Sequence, residues 1–299
     1  MKVRVIYNPS ANNWRAQKLL PMVVRLLDDA AFAYELSVTN RPKQAIGLAR
    51  ESAEMGFDAV IAAGGDGTIS EVVNGLIQAS VDRPTLPLGI LPVGTGNDLS
   101  DMLNLPRDLE QAIDRIASGA SRQIDLGQVV IDGEPHYFDN NCALAMEALI
   151  TVEYNKLTRL SGIPRYISGV IKGLFKLRPW KMRLEWDEGM YEGDLLLCSI
   201  CNSPRTGSTF LMAPDAQVDD GLFDVVYIPT IPMHLILRLL PRIITGTHLK
   251  HPQVHHIRTR NLTITGASPM PVHADGELLT AGTSKAIYSV LAGKLTLLG

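Results

Sequence analysis

Cysteines and long apolar runs are both scarce in this chain of 299 residues. Three cysteines do not supply a disulfide framework and are typical of a reducing compartment. The longest uncharged stretch near the C-terminus, residues 225–237, contains two prolines and is too short to span a bilayer. The N-terminal sequence MKVRVIYNPS alternates like a strand and lacks the apolar region of a signal peptide. We therefore expect a soluble cytoplasmic protein.

A strong excess of either charge is also missing. The formal net charge is −3, which gives no overall attraction to nucleic acid, so we expect no nucleic-acid partner. No H-E-x-x-H pattern accompanies the histidines at 248, 251, 255 and 256, which favours surface or packed histidines over a metal site. Cys198 and Cys201 form a C-x-x-C, but in a strand this spacing sends the side chains to opposite faces. It therefore predicts two buried structural thiols.

The first 120 or so residues contain repeated strand–helix units. KVRVIYN, AYELSVT, DAVIAAGG and LPLGILP are predicted strands, and residues 15–27 and 42–55 are predicted helices. A third helix is indicated by apolar residues at Ile69, Val72, Val73, Leu76 and Ile77. In DLEQAIDRIASG, Asp108 and Gln111 predict a capping box and Gly119 a helix stop. This alternation predicts a Rossmann-like, doubly wound parallel sheet.

After about Ile124 helical patterns become rare. Short apolar or alternating runs recur at 128–138, 194–202, 222–228 and 254–264, which predicts a mainly antiparallel β-sandwich. We therefore expect a Rossmann-like domain at 1–124 and a β-rich domain at 125–285.

Glycine-rich loops follow two of the predicted strands. In the first loop, glycines at 64, 65 and 67 let backbone N–H groups approach a phosphate, and the following helix N-terminus favours negative charge. Asp66 beside a phosphate requires a bridging cation, usually Mg²⁺. Thr68 and Glu71 predict a capping box that begins the helix. The alternative is a glycine-rich turn required by tight packing.

The second loop has a similar composition, with Gly94, Thr95, Gly96, Asn97 and Asp98 after a strand. Loops that leave neighbouring parallel strands meet at one edge of the sheet, so both should line one pocket. The segment after the first strand offers Asn8, Ser10 and Asn12 as a third wall.

These motifs together resemble a known family. G-G-D-G-T at 64–68, G-T-G-N-D at 94–98, D-L-G at 125–127, D-D-G at 219–221 and D-G-E at 275–277 occur in the order found in the diacylglycerol kinase catalytic-domain family. The resemblance is closest to soluble bacterial lipid kinases related to sphingosine and diacylglycerol kinases. It implies a Rossmann-like domain followed by a β-sandwich, with the active site in the cleft and the last strand, about 286–299, returning to the first domain.

The resemblance also implies roles for individual residues. ATP would be bound by Asn8, Pro9, Ser10, Asn12, Thr39, Gly64, Gly65, Asp66, Gly67, Thr68, Glu71, Gly94, Thr95, Asn97 and Asp98. A Mg²⁺ and water network would involve Asp66, Asp98, Asp125 and Asp220, and a structural metal would be bound by Gln217, Asp220 and Leu222. The catalytic base would be Asp275 or Glu277, although Asp-Gly is also a strong hairpin turn. The family's G-x-D-A segment reads Ala145-Met146-Glu147-Ala148 in this chain.

The implied activity is ATP-dependent phosphorylation of a lipid hydroxyl, with diacylglycerol as one acceptor among several left open. The alternatives are a kinase of a soluble acceptor, as in NAD kinases, and a non-catalytic lipid-binding relative. Residues 156–183 contain eight Lys or Arg and no acid, interleaved with apolar residues. This segment either docks reversibly on an anionic membrane or is a solvated helix packed on its own domain. A homodimer is left open.

Overall fold

The computed structural model describes residues 1–299 except 31, 81–82, 158–161 and 207–209, and only the backbone of 162–167. Part of the basic segment at 156–183 therefore lies outside the described residues. The chain divides into two compact units: unit 1 comprises Met1–Leu126 and Ala292–Gly299, and unit 2 comprises Gly127–Leu291.

Unit 1 contains the predicted alternation of strands and helices. Its elements are β1 (Lys2–Tyr7), α1 (Arg15–Asp28), β2 (Ala33–Val38), α2 (Gln44–Glu54), β3 (Ala59–Gly64), α3 (Asp66–Gln78), β4 (Leu88–Pro92), α4 (Asp98–Met102) and α5 (Leu109–Ala117). The strands pair in parallel in the order β2-β1-β3-β4. The last strand, β13 (Glu277–Leu298), pairs in parallel with β4 through Leu297 and Leu88. The parallel-sheet prediction is confirmed.

Local sequence explains where these elements begin and end. Every residue of β3, AVIAAG, is buried, as expected for a central parallel strand covered on both faces. The Asp108 side chain accepts the Gln111 N–H at 3.0 Å and caps α5, as predicted. Gly119, with φ +70°, follows the end of that helix.

Unit 2 is dominated by antiparallel strands. They are the end of β5 (Ser121–Ile131), β6 (Glu134–Phe138), β7 (Asn141–Ala145), β8 (Trp180–Trp186), β9 (Gly189–Cys201), β10 (Phe223–Pro229), β11 (His255–Thr259), β12 (Asn261–Ala274) and most of β13. The order is β11-β10-β9-β7-β12-β13, and β8 also pairs with both β9 and β12. Thus β7 and β8 share the position between β9 and β12, each pairing with a different part of these long strands.

The expectation that helices are rare in the second half is wrong. Unit 2 contains α6 (Met146–Asn155), α7 (Gly162–Lys176) and α8 (Met233–Ile244). Helical spacing indicates α7, whereas α6 and α8 continue apolar runs that begin as strands, so their periodicity is obscured. Residues of α6 and α8 form an apolar cluster with β9 and β10, which includes Met146, Leu197, Val226 and Leu239. The sheet therefore positions these helices against one of its faces.

The C-x-x-C interpretation is confirmed. Cys198 and Cys201 are free and buried on β9, where Cys198 belongs to one apolar cluster of unit 2 and Cys201 to the other. Burial raises the pKa of both thiols well above the ordinary range, so neither is a reactive thiolate.

Candidate active-site residues

The first glycine loop joins β3 to α3. Helix α3 begins at Asp66, and Gly65 precedes it in an extended conformation. A Cβ at Gly64 would lie 2.4 Å from the Thr68 side chain, and a Cβ at Gly94 would lie 2.2 Å from the Gly65 Cα. These glycines are therefore needed for close packing between the two loops. A Cβ at Gly67 would meet nothing within 4 Å, so that part of the loop is open to a ligand.

The capping box predicted from Thr68 and Glu71 is wrong. The Thr68 hydroxyl accepts the Asn8 amide at 2.8 Å and thereby ties the β1–α1 loop to α3. The Glu71 carboxylate instead accepts the N–H groups of Lys43 at 2.9 Å and Ala45 at 3.2 Å, at the start of α2. Glu71 therefore caps a neighbouring helix, a role that the spacing within its own helix does not reveal.

Asp66 connects the first loop to the second. Its two carboxylate oxygens accept the N–H groups of Asn97 at 2.9 Å and Asp98 at 2.6 Å, where α4 begins. Burial raises the Asp66 pKa, the nearby Asp98 charge raises it further, and the backbone hydrogen bonds lower it in part. Mg²⁺ in proteins is commonly bound by carboxylates together with phosphate oxygens, and two carboxylates lie here beside exposed backbone. These residues fit a magnesium–phosphate group.

The third loop also contacts this assembly. Thr95 donates its hydroxyl to the Asn12 side-chain oxygen at 3.2 Å, and Ser10 donates to the Asn8 side chain at 2.7 Å. Asn12 has φ +53°, a left-handed conformation that asparagine tolerates better than most residues. Thr39 lies near the end of β1, where its N–H donates to the Tyr7 carbonyl at 2.8 Å. The structure thus brings the three loops of unit 1 together.

Arg107 is a cation at these loops that the motifs do not indicate. Its guanidinium pairs with Asp101, with Nε at 2.7 Å from the carboxylate, and Nη2 lies 3.5 Å from the Gly96 carbonyl. The hydrogen bond and the charge of Asp101 are the main causes that raise the Arg107 pKa, and the charges of Asp98 and Asp66 add to the effect. In the sequence, the only sign of this contact is that Arg107 lies nine residues after Asp98 and has several acidic residues near it.

Asp125 makes a different contact. It is buried and accepts the Gly293 N–H at 2.7 Å, which holds the C-terminal strand segment of unit 1. Its predicted part in a magnesium and water network stays a prediction.

In unit 2, Asp275 and Gly276 form the two-residue turn between β12 and β13. Both have positive φ, +47° and +81°, so the hairpin interpretation of D-G-E is confirmed. The Asp275 carboxylate accepts three backbone N–H groups, from Asp139 at 3.0 Å, Asn140 at 3.1 Å and Asn141 at 3.0 Å. Burial raises the Asp275 pKa to about 6, although these hydrogen bonds oppose the shift. Glu277 is exposed at the start of β13.

The predicted structural metal set is Gln217, Asp220 and Leu222. Asp220 accepts the Leu222 N–H at 3.0 Å with one oxygen and pairs with the Arg258 guanidinium through the other. The one carboxylate of this set is paired with a cation in this structure, and the structural metal stays a prediction. Among the described residues, no group of three or more His, Cys, Asp or Glu side chains could hold a metal ion.

Comparison with known proteins agrees with this architecture. Residues 2–129 match the model of the diacylglycerol kinase catalytic domain, and residues 141–299 match that of the YegS C-terminal NAD kinase beta sandwich-like domain. This chain belongs to the diacylglycerol kinase family. The expected pairing of a Rossmann-like domain with a β-sandwich-like domain is thereby confirmed.

Curated relatives and solved structures share most of their length with this chain. The diacylglycerol kinase of Staphylococcus saprophyticus is 32% identical over 92% of this chain and 88% of its own. The diacylglycerol kinase of Bacillus subtilis is also 32% identical, over 92% of this chain and 89% of its own length. A crystal structure of a diacylglycerol kinase from Bacillus anthracis str. Sterne has a TM-score of 0.76 at 21% identity, covering 99% of this chain and 96% of that one. A second crystal structure from that organism reaches 0.81 at 23% identity, with the same coverage. At these identities the structures support the fold alone.

Proposed function

We propose that this kinase-family protein transfers the γ-phosphate of ATP to a hydroxyl of a lipid alcohol such as diacylglycerol, with Mg²⁺ as cofactor. The observation that carries the proposal is the joining of three loops in unit 1 through Asp66, Thr68 and Thr95. The names of the curated relatives support the choice of a lipid acceptor.

The nucleotide loops would bind the phosphates through backbone amides at the start of α3, where Gly67 leaves the backbone uncovered. Asp66 and Asp98 would hold the magnesium ion, which when bound neutralises charge on the phosphates. The backbone N–H groups of Asn97 and Asp98 fix the Asp66 carboxylate before any ligand arrives. Such preorganisation lowers the cost of binding a multiply charged ligand.

Asp275 is the better candidate for the base that takes the acceptor's proton. Three backbone N–H groups and the Asp139 side chain hydrogen-bond to its carboxylate and hold it in place. A pKa of about 6 keeps the group ionised at neutral pH, while its proton affinity stays well above that of an ordinary aspartate. Glu277, by contrast, is exposed. A base of this kind contributes about 10²–10⁴-fold to turnover.

Incubation with labelled ATP, Mg²⁺ and a choice of acceptors tests the proposal. We expect label in an organic-phase product when diacylglycerol or a mixed lipid extract is supplied. Label found only on NAD⁺ would instead identify a kinase of a soluble acceptor. No transfer to any acceptor, with lipid binding retained, would identify a non-catalytic relative.

We further propose that the protein docks peripherally on anionic membranes from the cytoplasm. None of the described helices is long and apolar enough to cross a membrane. Helices α7 and α8 contain no acidic residue, yet each exposes large apolar side chains: Ile171 and Phe175 on α7, and Met233, Leu237 and Ile244 on α8. Phe175 is 87% exposed. Basic helices with exposed apolar side chains bind anionic membrane interfaces because electrostatic attraction and the burial of apolar surface act together.

Sedimentation with vesicles tests this docking. We expect binding to vesicles rich in phosphatidylglycerol and several-fold weaker binding to phosphatidylcholine alone. Phe175→Ser combined with Leu237→Ser should reduce binding, whereas Met190→Ser on β9, at a position as exposed as Leu237, should not. Equal binding by all three proteins would contradict this surface.

A further inference from the structure

A second cluster of polar side chains lies beside Asp275 in unit 2, and the proposed reaction does not use it. Glu147, the second residue of α6, has a side chain only 11% exposed, and His273 on β12 has one only 6% exposed. The His273 Nε2 lies 3.8 Å from the Glu147 Oε2. Asn141 and Thr206 complete the cluster by donating to the same Glu147 oxygen, at 3.3 Å and 3.4 Å.

The hydrogen-bonding capacity of this cluster is largely unused. Glu147 Oε1 and both ring nitrogens of His273 are buried and have no hydrogen-bond partner among the described residues. Buried polar atoms in folded proteins nearly always have a partner, so such a concentration in one place indicates a binding position. By contrast, Glu153 on the same helix is also buried and is paired with Lys156 at 2.7 Å and Lys176 at 3.0 Å.

One residue links this cluster to the proposed base. The Asn141 backbone N–H donates to Asp275 Oδ1 at 3.0 Å, and its side chain donates to Glu147 Oε2 at 3.3 Å. His273 precedes Asp275 by two residues on the same hairpin. A head group whose reacting hydroxyl reaches Asp275 therefore has its next polar group close to Glu147 and His273.

We propose that Glu147 and His273 form a subsite for a second hydrogen-bond donor, a hydroxyl or an ammonium, in the head group of the lipid acceptor. The inference rests on the proposed lipid kinase function. A carboxylate accepts hydrogen bonds and donates none, while the imidazole can donate to and accept from one hydroxyl. Diacylglycerol has ester oxygens beside its single reacting hydroxyl, so it cannot donate to Glu147. We therefore expect diacylglycerol to be phosphorylated, but less efficiently than lipid diols and amino alcohols.

A series of acceptors with one chain length tests this inference. A long-chain 1-alkanol, the matching 1,2-diol and the matching 2-amino-1-alkanol, each in mixed micelles, differ only at the second carbon. We expect the diol or the amino alcohol to exceed the alkanol in kcat/KM by at least about tenfold, because a site built for a hydrogen bond rejects the analogue that lacks it. Because the ratio compares two acceptors of one enzyme preparation, the folded fraction cancels.

Glu147→Gln should reduce that ratio, with the larger loss for the amino alcohol, since glutamine keeps an acceptor oxygen but loses the charge. Glu153→Gln on the same helix is the matched control and should leave the ratio unchanged. A wild-type ratio below tenfold, or a ratio that Glu147→Gln does not change, would overturn the subsite and leave lipid phosphorylation standing. Failure to phosphorylate any lipid alcohol would instead overturn the proposed function.

Discussion

Asp66 in unit 1 and Asp275 in unit 2 are held in similar ways but lie in different surroundings. Each carboxylate accepts backbone N–H groups at the start of another segment, two for Asp66 and three for Asp275. Burial is the main cause of a raised pKa in both. For Asp66 the second cause is the charge of Asp98, whereas backbone hydrogen bonds come next for Asp275.

The difference shows how a carboxylate held by backbone N–H groups can suit two kinds of chemistry. A pair of carboxylates that repel each other gains from a divalent cation between them, so Asp66 suits Mg²⁺. A carboxylate whose pKa is raised mainly by burial gains from a proton, so Asp275 suits proton transfer. Four predictions separate these roles.

The largest expected effect is on turnover. Asp275→Asn should lower kcat by about 10²–10⁴-fold because it removes the proton acceptor, and it should leave the affinity for ATP with Mg²⁺ unchanged because the nucleotide loops belong to unit 1. The amide also offers one oxygen where three N–H groups need acceptors, so we expect a lower melting temperature as well. Steady-state kinetics and calorimetry on the same preparation measure both quantities. Glu277→Gln is the matched control and should retain most activity. If Glu277→Gln abolishes turnover and Asp275→Asn does not, the base is Glu277.

Asp66→Asn should act on binding. An amide carries no charge for magnesium and offers one oxygen where two N–H groups need acceptors, so we expect at least about tenfold weaker binding of ATP in the presence of Mg²⁺. The difference between wild type and variant should shrink when ATP is titrated without Mg²⁺. Identical affinities with Mg²⁺ would show that Asp66 is a purely structural carboxylate.

The two loop glycines should respond oppositely to alanine. At Gly94 a Cβ would lie 2.2 Å from the Gly65 backbone, so Gly94→Ala should separate the loops and reduce both melting temperature and ATP affinity. Gly67→Ala has room and lies within α3, where alanine is favoured over glycine by up to about 1 kcal/mol. We therefore expect Gly67→Ala to keep or raise the melting temperature and to weaken ATP binding.

Unchanged ATP affinity in the Gly67→Ala variant would show that the phosphates bind elsewhere. Loss of melting temperature in Gly67→Ala would show that this glycine serves packing, as Gly64 and Gly94 do.

The smallest effect is on the pH dependence of stability. Between about pH 4 and pH 6 the folded protein holds a proton on Asp275 that the unfolded chain has released, so the free energy of unfolding falls as pH rises through this window. The wild-type curve minus the Asp275→Asn curve, from denaturant unfolding at several pH values, isolates this group. A flat difference curve would contradict the raised pKa.

Much of this comparison is visible in the sequence because it depends on local patterns. The buried run before Gly64 and the glycine motifs at 64–68 and 94–98 predict the parallel sheet and the edge where its loops meet. The Asp-Gly dipeptide predicts the turn that presents Asp275. Local patterns are sufficient where neighbouring residues determine the conformation.

The remaining features depend on contacts between residues far apart in sequence. Glu71 caps α2 across 26 and 28 residues, and Asp275 accepts N–H groups 134 to 136 residues away. The pairing of Asp220 with Arg258 spans 38 residues. No spacing within a single element encodes such contacts. Helices α6 and α8 are hidden for a related reason, since sheet burial makes their apolar residues continuous with those of adjoining strands.

Calorimetric titration of the wild-type protein with ATP, with and without Mg²⁺, tests the central claim most directly. The joined loops of unit 1 predict saturable binding that strengthens markedly when Mg²⁺ is present and weakens again in Asp66→Asn. Absence of ATP binding at millimolar nucleotide in the presence of Mg²⁺ would contradict the account.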